Sequence, residues 1–387
     1  MRTLDLVYFD AGGGHRSAAL ALQAVIGDLG YPWQVRLVNL QEVLDSLDVF
    51  RKLTGIRLED IYNLALAKGW TLGSNYLLPC MHGVIRLYHG QQVKLLTRFW
   101  QEQRPDLVVS LVPNFNRALF QSLTRAVPGV SFVTILTDLA DYPPHFWMER
   151  QDQYLICGTD RAVEQARAMG YRKERVFQTS GMILRPDFYN LPAFDQAEER
   201  SRLGLDPDLA TGLVLFGGEG SNVMFPIAKQ LGNSALDLQL IMICGRNGGL
   251  RERLGRLKTR NTIVLEGFTK VVPRYMRLAD FFIGKPGPGS ISEALHLGLP
   301  VIVERNAWTL PQERYNAQWL AEKGVGIVLR NFREIDRAVQ ELLIPGAIGS
   351  MKQRIAGMKN GAVFEIPPLL EQIFKIQSQT CAAKAQL

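Results

Sequence analysis

The stretch "GKPGPGSISEALHLGLPVIV", residues 284–303, decides the fold. It continues an apolar run that starts with "ADFFIG" at 279, turns through alternating glycine and proline, and enters a segment with helical spacing. "LPVIVE" (299–304) then reads as the next strand. Strand, glycine loop, helix and strand in so short a span make a βαβ unit, whose strands must run parallel. The loop offers rigid backbone amides to an anion at a helix N-terminus, and Glu293, one turn inside, can accept hydrogen bonds from two neighbouring hydroxyls. The same spacing also fits a capping box, with Ser290 as the cap and Glu293 as its partner. A place at the carboxyl end of a strand favours the ligand.

The same rhythm extends in both directions. Towards the N-terminus of this half stand "TGLVLFGGEGSNVMFPIAKQL" (211–231), "LQLIMICG" (238–245) and "NTIVLEGF" (261–268). The first half carries "LDLVYF" (4–9), "WQVRLVNL" (33–40), "DLVVSLVP" (106–113), "VSFVTILTD" (130–138) and "QYLICGT" (153–159), separated by helical segments such as "RSAALALQAVIGDLG" (16–30). Alternating strands and helices predict two doubly wound, Rossmann-like α/β domains, 1–185 and 186–365, divided within the proline-bearing "GMILRPDFYNLPAFD" (181–195). Two such domains are expected to face each other across a cleft lined by the carboxyl ends of their strands. The tail, 366–387, opens with a proline stop and continues as a helix.

Residues 45–103 depart from the rhythm. Trp70, Leu72, Tyr76, Leu77, Leu78, Met81, Val84, Ile85, Leu87 and Tyr88 fall at mixed helical phase. They read as core helices of the first domain or, with Arg86, Lys94 and Arg98 nearby, as an acceptor-side or membrane-facing surface.

Bulk properties exclude more than they select. A chain of 387 residues with 47% hydrophobic residues supports more than one core. The formal charge of +7 is spread along the chain: residues 1–150 hold 14 Lys and Arg against 13 Asp and Glu. No basic arm for nucleic acid results, and an anionic ligand or lipid surface fits a diffuse excess. Cys80, Cys157, Cys244 and Cys381 stand far apart without a CxxC pair, so neither zinc nor a disulfide framework is indicated and a cytoplasmic setting fits. The first apolar run is too short for a signal peptide, and no run reaches the ~18 apolar residues that span a bilayer, so a soluble or membrane-peripheral protein is expected.

Three loops carry the chemistry. "YFDAGGGHRSAAL" (8–20) brings His15 directly after three glycines, at a strand-to-helix turn that includes Gly13 and Gly14. "FGGEGS" supplies Gly217, Gly218, Gly220 and Ser221 without a Walker lysine. "ILTDLADYPPHFW" ends a strand at Asp138, where a carboxylate could orient His15, act as a base itself, or cap the loop. A histidine of ordinary pKa near ~6.5 suits removal of a proton from a hydroxyl at neutral pH. Arg16, Arg246 and Lys285 are candidates to balance anionic charge.

"GGGHRSAA", "FGGEGS", "GFTKVVPRYMRLADFFIGKPGPGSISEALHLGLPVIV" and "PQERYNA" (311–317) together resemble the GT-B glycosyltransferases that include monogalactosyldiacylglycerol synthases, bacterial diacylglycerol glucosyltransferases and, more remotely, the peptidoglycan lipid-II glycosyltransferase. The resemblance covers nearly the whole chain in order. It implies an inverting, metal-independent transfer of a hexose from a UDP-sugar to a lipid acceptor at the membrane surface, most of all diacylglycerol, with no cofactor beyond the donor. It places the uracil at the backbone around Phe268, the ribose at Glu293, the diphosphate at Gly287, Gly289 and Ser290, and the sugar hydroxyls at Gln312 and Glu313. Gly13, Gly14, Gly218, Gly220, Ser221, Lys285 and Asn316 complete the expected substrate contacts. His15 falls on the acceptor-side histidine, Asp10 on a frequent aspartate of its loop, and Asp138 is the other catalytic candidate. The chain departs from the galactolipid synthases after Asp138, with "YPPHFW" where they carry His-Pro-Thr-Trp. The resemblance also implies that the last helix returns to the first domain. Two alternatives stay open: a UDP-sugar epimerase of the same fold, and a non-catalytic binder of nucleotide sugar or lipid.

Overall fold

The computed structural model describes residues 1–10, 13–45, 85–193 and 195–385. Gly12 and the run from Trp70 to Val84 lie outside the described residues. The chain forms two compact units, one running to Pro186 and including Asn360–Leu387, the other spanning Asp187–Lys359.

The first unit is built on six parallel strands: β1 (Arg2–Tyr8), β2 (Trp33–Asn39), β3 (Leu107–Ser110), β4 (Ser131–Ile135), β5 (Tyr154–Cys157) and β6 (Val176–Gln178), in the order β2-β1-β3-β4-β5-β6. Leu4 of β1 lies level with Val35 on one side and Leu107 on the other. Helices Gly14–Asp28, His89–Gln103, Asn116–Ala126 and Asp160–Ala168 alternate with these strands. The strands read as unbroken apolar runs because a doubly wound parallel sheet is buried on both faces. Leu6, Val108, Val109 and Leu155 are fully buried, and each such side chain contributes about 1.5–3 kcal/mol of transfer free energy.

The second unit repeats the plan with β7 (Ala210–Leu215), β8 (Leu238–Ile243), β9 (Ile263–Glu266), β10 (Phe281–Gly284), β11 (Val301–Glu304) and β12 (Gly326–Leu329), ordered β12-β11-β10-β7-β8-β9. Each sheet reverses its winding once, between β1 and β3 and between β7 and β10. At such a reversal the loops leaving the two neighbouring strands part company, and a crevice opens where ligands of this fold class bind. The glycine loops after β1, β7 and β10 all fall there.

Two short strands, β6 and β12, escape the sequence pattern: Val176–Gln178 has three residues, and Gly326–Leu329 opens on a glycine. The tail differs from expectation as well. Its helix runs Ala362–Ala385 with Pro367 and Pro368 inside it, so the prolines do not set its start. Burial offsets their missing amides: Val363, Ile366, Leu370, Ile373 and Phe374 are buried. Phe374 meets the ring of Trp33 at 5.3 Å and the Arg2 guanidinium at 4.9 Å. Gln377 accepts from the Ser131 amide at 2.7 Å and donates to the Asp106 carbonyl at 3.0 Å, which ties this helix to the first sheet.

Candidate active site

The helix that follows β1 starts at Gly14, with Gly13 as its cap in the left-handed region at φ 78°. A side chain at Gly13 would be strained, whereas Gly14 has no atom within 4 Å of where its Cβ would stand. His15 is the second residue of the helix, so its ring hangs over the carboxyl edge of the sheet. Its Nδ1 lies 3.0 Å from the hydroxyl of Thr137, which follows β4. The ring of Trp147 stands 5.8 Å away, tilted by 56°. Burial pushes the imidazole pKa down to about 4, opposed by a hydrogen bond to the Leu111 backbone just past β3. The ring keeps some exposed surface, which blunts the effect of burial without reversing it. At neutral pH the imidazole is uncharged, with one nitrogen able to accept a proton.

The other two expected catalytic groups have different partners. Asp10 pairs with Arg16 at 2.9 Å on the outside of the turn. Asp138, buried, accepts from the indole nitrogen of Trp147 at 2.9 Å. Neither is the recorded partner of His15 Nδ1, which is Thr137, a residue the sequence reading quoted within its motif but left without a role. Asp141 anchors the loop that delivers Trp147: its carboxylate accepts from the amides of His145 at 3.0 Å and Trp147 at 2.6 Å, while burial raises its pKa. His145 itself is exposed, with φ 65°.

In the second unit the loops after β7 and β8 interlock backbone to backbone. Gly217, Gly220 and Gly245 have φ of 85°, 67° and 59°. A Cβ on Gly220 would stand 2.2 Å from the Cys244 carbonyl oxygen, and one on Gly245 2.2 Å from that of Gly218. The amide of Arg246 donates to the same Gly218 carbonyl at 2.9 Å. This packing sets the Arg246 guanidinium 4.3 Å over the half-exposed ring of Phe268 and 2.5 Å from Glu219. The Phe268 loop is fixed from behind by Glu266, whose carboxylate accepts from the Tyr275 hydroxyl at 2.5 Å and the Gly267 amide at 2.8 Å; these bonds hold its pKa below the usual range. Ser221 is buried and serves the turn itself, its hydroxyl accepting from the Val223 amide at 3.4 Å and its carbonyl from Met224 at 3.0 Å.

After β10 the helix Pro288–His296 begins with Gly287 as its cap and no side-chain capping bond. Ser290 is the third residue of the helix, not its cap, so the capping-box alternative fails. Pro288 has no amide hydrogen, and those of Gly289 and Ser290 lie in the first turn, where the helix itself provides no acceptor. Ser290 and Glu293 are partly exposed on this turn, and Gly289 is exposed. Lys285 donates to the carboxylate of Glu313 at 3.0 Å, and Glu313 is buried. Gln312, in the turn Pro311–Glu313, is half-buried beside it. A Cβ at Gly287 would approach Lys285 Cε to 3.2 Å. Asn316 is fully buried and donates to the Pro286 carbonyl at 2.9 Å. Its amide nitrogen braces the glycine-proline loop from below, while its Oδ1 is buried without a hydrogen-bond partner.

Two constellations thus form, each within one unit. One is a neutral imidazole held by a hydroxyl at the first sheet's reversal. The other is a set of free amides with a lysine-carboxylate pair at the second's. The first suits proton removal, the second an anion.

The chain is similar to several known proteins. Residues 214–354 match the glycosyltransferase family 28 C-terminal domain. A probable monogalactosyldiacylglycerol synthase 2 of Oryza sativa subsp. japonica is 26% identical over 96% of this chain and 80% of its own length. The monogalactosyldiacylglycerol synthase of Spinacia oleracea is 26% identical over 97% and 74%. Among solved structures, Acinetobacter baumannii MurG superposes with a TM-score of 0.62 at 12% identity, covering 96% of this chain and all of MurG. The fold is GT-B.

Proposed function

We propose that this GT-B chain, which carries a glycosyltransferase family 28 C-terminal domain, is an inverting hexosyltransferase that moves a sugar from a UDP-sugar to a lipid hydroxyl, diacylglycerol foremost. Relatives named monogalactosyldiacylglycerol synthases, alike over nearly the whole chain, support the lipid product. The observation that carries the chemistry is His15, uncharged beside Thr137 on the opened edge of the first sheet.

In the proposed step, His15 Nε2 takes the proton of the acceptor hydroxyl, and the freed oxygen pair forms the new bond to the anomeric carbon. The bond from that carbon to the diphosphate oxygen breaks, and its electron pair leaves on UDP. The amides of Gly289 and Ser290 and the N-terminal dipole of their helix stabilise the leaving charge, a task that needs no metal or other cofactor in this scheme. Glu293 takes the ribose, the backbone at Phe268 the uracil, and Gln312 with Glu313 the sugar hydroxyls. Gly218 and Gly220 shape the loop beside the uracil, and Lys285 sets the charge of Glu313. We place the enzyme on the cytoplasmic face of a membrane as a peripheral protein. Among the described residues no helix is long and apolar enough to cross a membrane, and Leu87, 79% exposed, offers apolar surface.

The test is turnover of labelled UDP-galactose, UDP-glucose and UDP-N-acetylglucosamine with diacylglycerol-containing vesicles. A glycolipid of inverted anomeric configuration is the expected product. Product formed equally without lipid would mean an epimerase, and UDP binding with no turnover of any donor a non-catalytic binder; either result overturns the reading.

A further inference from the structure

Glycosyl transfer to a hydroxyl acceptor with a histidine base needs a particular nitrogen of that histidine unprotonated and facing the acceptor. His15 sits on the second residue of a helix whose cap is a glycine without a side chain. The cap therefore offers the ring no side-chain partner. The polar groups recorded against it come from other elements: the Thr137 hydroxyl at 3.0 Å from Nδ1 and the Leu111 backbone. Trp147 limits the ring from the side, and is itself held by Asp138 through the indole nitrogen and by Asp141 through its amide.

We propose that Thr137 is the positioning residue of the acceptor side: its hydroxyl accepts the Nδ1 hydrogen of His15 and so leaves Nε2 as the nitrogen that receives the acceptor's proton. The proposal deepens the transferase reading and rests on it for its catalytic consequence. A hydroxyl clamp differs from a carboxylate clamp in one respect that can be measured. A carboxylate beside Nδ1 would favour the imidazolium by charge; a hydroxyl orients the ring and leaves its basicity to burial. The carboxylates of this edge have partners of their own: Asp10 pairs with Arg16, Asp138 accepts from the Trp147 indole, and Asp141 from the loop amides. In the transfer step the Nδ1 hydrogen stays on Nδ1, hydrogen-bonded to Thr137, Nε2 gains the acceptor's hydrogen, and the resulting imidazolium releases a proton to solvent after UDP and product leave.

Three substitutions test the assignment on the full-length protein. Thr137→Ser keeps the hydroxyl and is expected to hold kcat within about threefold. Thr137→Val keeps the shape, removes the acceptor, and is expected to lower kcat by roughly tenfold to a hundredfold with the KM for UDP-sugar unchanged. Thr137→Asp is expected to move the acid limb of kcat/KM upward by one pH unit or more. Nitrogen-15 NMR of histidine-labelled protein gives a readout independent of turnover: His15 should be the Nδ1-H tautomer in the parent and in Thr137→Ser, and a mixture in Thr137→Val. An Nε2-H tautomer in the parent, or a tautomer indifferent to Thr137→Val in a folded protein, overturns the proposal. If instead the NMR pattern is as expected and no donor is turned over, the positioning stands and the transferase reading falls.

Discussion

The loops after β1 and β10 occupy matching places, each at the reversal of a six-stranded parallel sheet and each opening a helix through glycine. In the proposed transfer they do opposite work. The β1 loop delivers one titratable ring, His15, and surrounds it with a hydroxyl, an indole and a backbone carbonyl. The β10 loop delivers backbone donors, and its charged partners, Lys285 and Glu313, neutralise each other at 3.0 Å. A reacting group must change its protonation during the cycle, so it is kept away from strong charges. An anion cradle must not change, so it is built of amides and paired charges.

The largest effect should come from removing the group that changes state. His15→Gln is expected to lower kcat by about a thousandfold, with the affinity for UDP, measured by calorimetry, within about twofold of the parent. If UDP affinity falls with kcat, the division of labour between the two loops is wrong. Glycine substitutions give the next largest effect and extend the comparison to the interlocked loops after β7 and β8 of the second unit. Gly245→Ala forces a Cβ to 2.2 Å from a backbone oxygen at a positive φ, and should cost the second unit about 3 kcal/mol while weakening UDP binding. Gly14→Ala, helical and with nothing within 4 Å, should change denaturant stability by less than about 1 kcal/mol. Equal losses in the two variants would show that the loops share one structural demand, contrary to the comparison.

Much of this was legible before any coordinates, and the limits have physical causes. Long apolar runs at strand spacing identified ten of the twelve strands' positions, because a sheet buried on both faces writes itself as continuous hydrophobicity. The glycine loops after β1 and β7 were visible because turns at φ above zero leave few alternatives to glycine; the loop after β10, whose Gly287 has φ -72°, is marked instead by its alternation with proline. Partners were not visible. Asp10, Asp138 and Glu313 are carboxylates in the right loops, yet pairing with Arg16, Trp147 and Lys285 depends on side-chain directions set by elements distant in sequence. Thr137 is the sharper case: it stands next to Asp138 in a motif already singled out, but neighbouring residues at a strand end point different ways, and the hydroxyl rather than the acid meets Nδ1.

The smallest effect concerns stability and follows from the same uncharged ring. The folded protein holds the His15 pKa at about 4 against an ordinary 6.5. Between those values the unfolded chain binds a proton that the native state refuses, so the stabilisation from this group is complete above pH 6.5 and is lost as pH falls towards 4. With some ring surface exposed, the loss should be on the order of 2 kcal/mol. The carboxyl of Asp141, raised by burial, shifts stability with the opposite sign on acidification, and it contributes equally to the parent and to a variant at position 15. The difference between the parent and His15→Gln in urea unfolding at pH 7.5 and 4.5 therefore isolates the ring. In the β10 loop the pH dependence should arise in the variant and not in the parent: a Lys285→Met protein leaves the buried Glu313 carboxylate without its cation, so its loss of stability is expected to be larger at pH 7.5 than at 4.5, where protonation relieves the unpaired charge. A pH-independent gap between the parent and His15→Gln would mean that the ring is solvated in the folded state, and the contrast between a protected reacting group and a fixed anion cradle would have to be abandoned.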